Sequence, residues 1–261
     1  MVLYNEDTLR QICPSVFAEG PDTSNVTDRY SFLPTTEMLG MLENEGWVWH
    51  KASQVRPRIR SAEHVRHLVR LRHVDMGEQN YDVGDSFPEL LLTNAHNGTG
   101  TYTLRGGIFR LVCSNGMVVA DQEYGGIKVR HVGIDQEQIR KISMDVVENS
   151  NKAMEKISSW SSIKLDDTSR REFAREAAEL RFKETDSMLI QDLLRTRRIQ
   201  DESNDLWTTF NRVQENLLQG GFRSPGGRRT VQPIRSIEKD LQINSKLWTL
   251  ATKYSSEVSA N

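Results

Sequence analysis

The chain has 261 residues, of which 37% are hydrophobic, 27% charged and 7% aromatic, and its formal net charge is −2. This composition excludes a collagen-like or broadly disordered polymer, and no apolar run approaches the ~18 residues that a membrane span needs. Two cysteines, Cys13 and Cys113, make neither a disulfide framework nor a four-cysteine zinc site, and Met1 to Arg10 lacks the basic start and apolar core of a secretion signal, so a cytoplasmic protein away from membranes is expected.

The first thirty residues, broken by Cys13-Pro14 and Gly20-Pro21, read as irregular. Pro34-Thr35-Thr36-Glu37 opens a short helix with Met38, Leu39 and Leu42 on one face and Gly46 as its stop. Trp47-Val48-Trp49 starts a strand. From Val65 to Val74 the residues alternate, with Val65, Val69 and Leu71 on one side and Arg66, Arg70 and Arg72 on the other. Leu90-Leu91-Leu92 reads as a buried strand. Asn97-Gly98 and Asn115-Gly116 are hairpin signals of the type I′ kind. Tyr102–Leu104, Ile108–Cys113, Met117–Val119 and Ile127–Val132 continue an antiparallel meander.

Helical spacing begins at Asp135, which forms a capping box with Gln138 and precedes Ile139, Ile142, Val146, Ala153, Ile157 and Trp160. Ser169 with Glu172 starts a second helix. Shorter helices follow near Ile190–Leu194 and Leu206–Leu217, and Gly220-Gly221 ends the latter. Ser236 caps a last helix carrying Ile237, Leu241, Trp248, Ala251 and Tyr254. The expected class is α+β: an antiparallel sheet over about residues 65–132, then a mostly helical C-terminal half. Residues 1–134 would hold the mixed N-terminal segment and the sheet. Residues 135–261 would pack on them as a helical region, in one continuous domain.

The small net charge hides a strong division. Residues 1–47 hold two Arg and eight acids, and residues 135–219 hold 14 Lys/Arg against 17 acids. Residues 48–134 hold 11 Lys/Arg against eight acids, and residues 220–261 seven against three. Residues 50–73 carry Lys51, Arg56, Arg58, Arg60, Arg66, Arg70 and Arg72 against Glu63 alone. The Gly/Pro/Arg loop 220–235 carries Arg223, Arg228, Arg229 and Arg235 and no acid. Two basic stretches in a nearly neutral chain point to a polyanion, unless carboxylates elsewhere pair with them.

The order of motifs resembles a known family, the domain-of-unknown-function 932 or phage/plasmid-like proteins. The resemblance begins at Arg29-Tyr30 and Pro34–Glu37 and continues through Ala52-Ser53-Gln54 with Arg56 and Arg58, and through His67–His73. It is densest over PELLLTNAHNGTGTYTLRGGIFRLVCSNGMVV, from Pro88 to Val119, and returns at Val129-Arg130-His131, Leu241–Asn244 and Leu247-Trp248. Residues 150–225 match only as generic helix. The family has no assigned activity. The resemblance implies a mobile-element context in a bacterial cytoplasm, and kinship with annealing proteins would imply a homo-oligomer.

The sequence offers three candidate sites. The first is a nucleic-acid groove built from Arg56, Arg58, Arg60, Arg66, Arg70, Arg72, Arg105, Arg110, Lys128, Arg130, Arg228 and Arg229. Phosphate binding needs several cations tracking a backbone, and Trp47, Trp49, Tyr102, Phe109 and Tyr124 would stack bases unless they are core. The second is the polar loop Asn94–Thr99, either a base or metal ligand around His96 or simply a turn. The third, a metal held by His64, His67, His73 and Glu63, has no supporting spacing. Cys113 reads as a buried thiol, Gly106-Gly107 is too short for a phosphate loop, and Gly226-Gly227-Arg228-Arg229 reads as a flexible basic loop or a solvated linker. The expectation is a non-enzymatic protein without cofactor or metal that binds single-stranded DNA, without sequence preference, in replication or recombination. The alternatives are a factor that inhibits or redirects a host protein, and a hydrolase using the His96 loop.

Overall fold

In the computed structural model, residues 6–24, 26, 30–57, 62–74, 86–110, 116–118, 127–129, 136–227 and 229–259 are described. The architecture is α+β. The strands are β1 (Trp47–Gln54), β2 (His67–His73), β3 (Ser86–Asn94), β4 (Tyr102–Arg110), β5 (Gly116–Val118) and β6 (Ile127–Val129). They follow the order β1-β2-β3-β4-β5, with β6 also paired to β4. The helices are α1 (Glu6–Ile12), α2 (Thr35–Asn44), α3 (Gln136–Ser162), α4 (Asp167–Glu179), α5 (Ser187–Leu194), α6 (Leu206–Gln219) and α7 (Ile237–Ser259). No helix among the described residues is long and apolar enough to cross a membrane.

The chain divides into two compact units. The first comprises residues 1–81, 87–108 and 121–150, and the second residues 82–86, 109–120 and 151–261. In the first, strand alternation sorts the side chains. Val69 lies opposite Leu92 and Leu71 opposite Leu90, and all four are fully buried. They pack with Leu9, Cys13, Val16, Met38, Leu42 and Ile139, which brings α1, α2 and the start of α3 onto one face of the sheet. Burial pushes the Cys13 thiol up to about 11, so it is an inert core group. Trp47 Nε1 donates to Ser143 Oγ at 2.5 Å, which ties α3 to β1.

Several local expectations change. The N-terminal region is not irregular: it forms α1 and a 3-10 turn, Pro14–Phe17, because Leu9, Cys13 and Val16 all reach the core. β4 is one strand, and it runs straight through Gly106-Gly107. Asn97-Gly98 does lie in a turn, but only Gly98 has positive φ (+74°). Asn97 Oδ1 instead accepts the Thr99 N–H at 3.1 Å, so the turn is of the Asx kind and not type I′. Asn115 lies outside the described residues, as do Asp135 and Cys113. Asp166, not Ser169, caps α4, its carboxylate accepting from the Ser169 N–H at 2.7 Å.

The second unit is built around α6, thirteen of whose side chains are buried, so the helix is surrounded by others rather than lying on a surface. Trp160 and Trp248 meet at 4.5 Å between ring centroids, and Trp207 stacks on Phe210 at 5.6 Å. Several polar residues enter this core with partners, whereas Thr209 Oγ1 is buried without one among the described residues. Asn216 Nδ2 donates to Leu193 O and Arg195 O, both at 2.9 Å. Gln214 donates to Asn244 Oδ1 at 2.7 Å, and Arg198 pairs with Glu215.

Candidate functional site: buried polar clusters and an arginine hairpin

Three polar constellations stand out among the described residues. The first lies on the sheet face opposite the core. Arg70 pairs with Leu91 and Leu71 with Leu90 across β2–β3, and one more step of that register sets Arg72 opposite Glu89. The Glu89 side chain is fully buried. It accepts from Arg70 Nε at 2.5 Å, Arg72 Nε at 2.9 Å and His50 Nε2 at 2.7 Å. His50 reaches it because the β1–β2 register slips between Trp49 and Lys51, a bulge that re-aims one side chain. Burial alone would raise the pKa of Glu89, but the hydrogen bond from His50 and the charge and hydrogen bond of Arg70 outweigh it and hold the group below the ordinary carboxylate range.

The second constellation lies on the core face. Thr35, the first residue of α2, places Oγ1 3.0 Å from His67 Nε2, 2.9 Å from His96 Nε2 and 3.1 Å from Tyr102 OH. Tyr102 donates to Leu33 O at 2.7 Å, and Phe32 packs on His96 with centroids 5.0 Å apart. All four side chains of the node are fully buried. His96 therefore fastens the β3–β4 loop to α2. Burial lowers the pKa of His67 to about 4 despite its contact with Val65 O. The unfolded chain then binds a proton near pH 6.5 that the native chain refuses. Stability should fall as pH drops from ~6.5 to ~4, by roughly 3 kcal/mol at ~1.4 kcal/mol per unit, and this contribution should level off below that. Urea unfolding across this range checks it: the stability difference between wild type and His67→Gln should narrow toward pH 4, whereas a constant difference would mean that His67 is not held neutral.

The third constellation follows α6. Gly220 (φ +64°) and Gly221 (φ +84°) turn the chain into a hairpin. Gly221 N–H donates to Val231 O, Val231 N–H to Phe222 O and Ser224 N–H to Arg229 O, at 2.9, 2.8 and 2.7 Å. Pro225-Gly226 forms the tip, closed by Gly227 N–H to Ser224 O at 2.7 Å. The described residues of this basic segment, read as a flexible loop or a solvated linker, form a hydrogen-bonded hairpin with Phe222 and Val231 buried beneath it. Arg223, Arg229 and Arg235 are exposed on it. Among the described residues they form no ion pair.

Other arginines of this unit are structural. Arg181 donates to Leu217 O and Gln232 O. Arg197 donates to Asn216 Oδ1 at 2.7 Å and Gly220 O at 2.8 Å. With Gly220 N–H on Asn216 O and Ile234 N–H on Leu218 O, the carbonyls at the end of α6 are occupied.

The expected site residues therefore part company. Arg70 and Arg72 gather on Glu89. Arg66 is half-buried and donates to Thr99 O at 3.1 Å. Arg56 is exposed beyond β1, Arg105 is half-buried on β4, and Arg229 sits on the hairpin. Lys128 lies opposite Thr103 in the β4–β6 register. Arg58, Arg60, Arg130 and Arg228 lie outside the described residues, as do the side chains of Arg110 and Lys128. Trp47 and Tyr102, expected as stacking groups, are fully buried, and Trp49 packs against the core. Phe109's side chain and Tyr124 are not described. His67 and His73 do not share a ligand position: His73 Nε2 donates to Glu45 O at 3.0 Å. No cluster of three metal-ligating side chains occurs among the described residues.

Sequence reasoning missed Glu89, His50 and Thr35. A lone carboxylate beside Leu90-Leu91-Leu92 was the available signal, since a charge in a buried strand needs partners.

Comparison with known proteins gives a consistent picture. The chain is 35% identical over 250 residues to the UPF0380 protein YfjQ of Escherichia coli K12, covering 94% of this chain and 89% of that protein. The UPF0380 protein YafZ of the same strain matches with the same identity and coverage. No solved structure matches the chain significantly. Residues 23–248 match the domain of unknown function DUF932, and the chain belongs to that family.

Proposed function

We propose that this is a nucleic-acid-binding protein that holds the phosphate backbone without reading sequence, acting on the DNA of a phage or mobile element in replication or recombination. The observation that carries this reading is the hairpin. Arg223, Arg229 and Arg235 stand exposed on an ordered scaffold, in a segment without a single acid. Exposed guanidinium groups without ion pairs among the described residues, carried on a backbone closed by hydrogen bonds, suit a polyanion. The strand arginines contribute less than their number suggests, because Arg70 and Arg72 share a buried carboxylate. The mobile-element setting rests on the family resemblance alone.

Fluorescence anisotropy with a labelled 24-nucleotide single strand of mixed sequence tests this. Affinity should fall steeply with salt, and the triple variant Arg223→Gln, Arg229→Gln, Arg235→Gln should flatten the log–log slope by about 2, at ~0.7 per lost phosphate contact. Absence of binding by the wild type at 50 mM salt would reject the proposal.

A further inference from the structure

The hairpin does not stand alone at the end of α6. Asn216, in the last turn, holds Arg195 through its carbonyl, and Leu218 O holds Ile234 N–H, the residue before Arg235. Arg195 is thereby placed beside the hairpin base. Its side chain is exposed and, among the described residues, carries no ion pair. Arg197 and Arg181, its neighbours in this region, are committed to carbonyls and side-chain oxygens and hold the scaffold. The Asp186 carboxylate accepts from the N–H of Leu189 and, at 3.4 Å, the N–H of Gly226.

Among the described residues of this unit, the large aromatic rings are mostly turned inward. Trp160, Trp207, Phe210, Phe222 and Trp248 are buried. Phe182 is half-buried, with Phe222 6.2 Å away and the Arg181 guanidinium 5.5 Å from its ring. Preference for a single strand needs rings offered to unstacked bases. This surface offers guanidinium groups.

We infer that Arg195 joins Arg223, Arg229 and Arg235 in one backbone-gripping surface, and that this surface takes duplex DNA as readily as a single strand. The inference rests on the nucleic-acid reading above and narrows its ligand. The test compares a mixed-sequence 24-nucleotide strand with the duplex of the same length by anisotropy at 50–200 mM salt. Affinities at 50 mM should agree within about threefold. For the duplex, four phosphate contacts at a slope of ~0.9 each predict a loss of about 150-fold in affinity between 50 and 200 mM, and Arg195→Gln should reduce that loss to about 40-fold. The substitution leaves the Arg195 carbonyl and its bond from Asn216 in place, and an unchanged melting temperature confirms an intact fold. A single-strand preference of tenfold or more overturns strand indifference. An unchanged salt dependence in Arg195→Gln removes Arg195 from the surface. Failure of both probes to bind at 50 mM rejects instead the function proposed above.

Discussion

Replacing Glu89 by Ala should lower folding stability by about 3–5 kcal/mol, because the change strands Arg70 and Arg72 in a largely buried site without their counter-charge. Chemical denaturation at pH 7 reads the loss. Arg72→Gln should cost less, since Glu89 still accepts from Arg70 and His50. The pH response separates this cluster from the Thr35 node. Glu89 has a depressed native pKa, so its contribution is complete above the unfolded carboxylate value, ~4.3, and is lost as pH falls further through the native value. The His67 contribution is lost at higher pH. A Glu89→Ala protein within 0.5 kcal/mol of wild type would show that the cluster does not hold β1, β2 and β3 together.

The second large effect is expected at Gly220. Its φ of +64° is combined with a close approach: a Cβ there would lie 2.4 Å from Val231 O, a backbone atom that cannot swing aside. Gly220→Ala should therefore cost about 3 kcal/mol or more, from backbone strain plus displacement of the hairpin base. Gly221, with φ +84°, has open space where its Cβ would go. Gly221→Ala should cost only about 1 kcal/mol, the conformational share alone. Parallel urea titrations compare the two, and equal losses would contradict the contact with Val231.

Elements with strong periodicity were legible in the sequence. The alternation around Val69 and Leu71 placed β2, and helical spacing placed α3 and α7. Gly220 and Ser236 marked real boundaries, the latter with Ser236 Oγ accepting the Lys239 N–H at 3.3 Å. The short N-terminal helix was not legible. In α1 only Leu9 is buried, too few apolar positions to declare a period. Polar sites were hidden for another reason. Thr35, His67, His96 and Tyr102 are separated by up to 67 residues, and each is ordinary in its local setting. Only tertiary contact turns a Thr at a helix start into a node for two imidazoles. Sequence likewise does not show which guanidinium groups are taken by a carboxylate, as Arg70 and Arg72 are, or by a carbonyl, as Arg66 is.

Arg181 joins Leu217 and Gln232, so it shuts the segment between them as a noncovalent clasp. The entropy of closing that ring is settled when the protein folds, not when a ligand arrives. A surface readied in this way should associate at a rate set by diffusion and charge, with no ordering step to slow it.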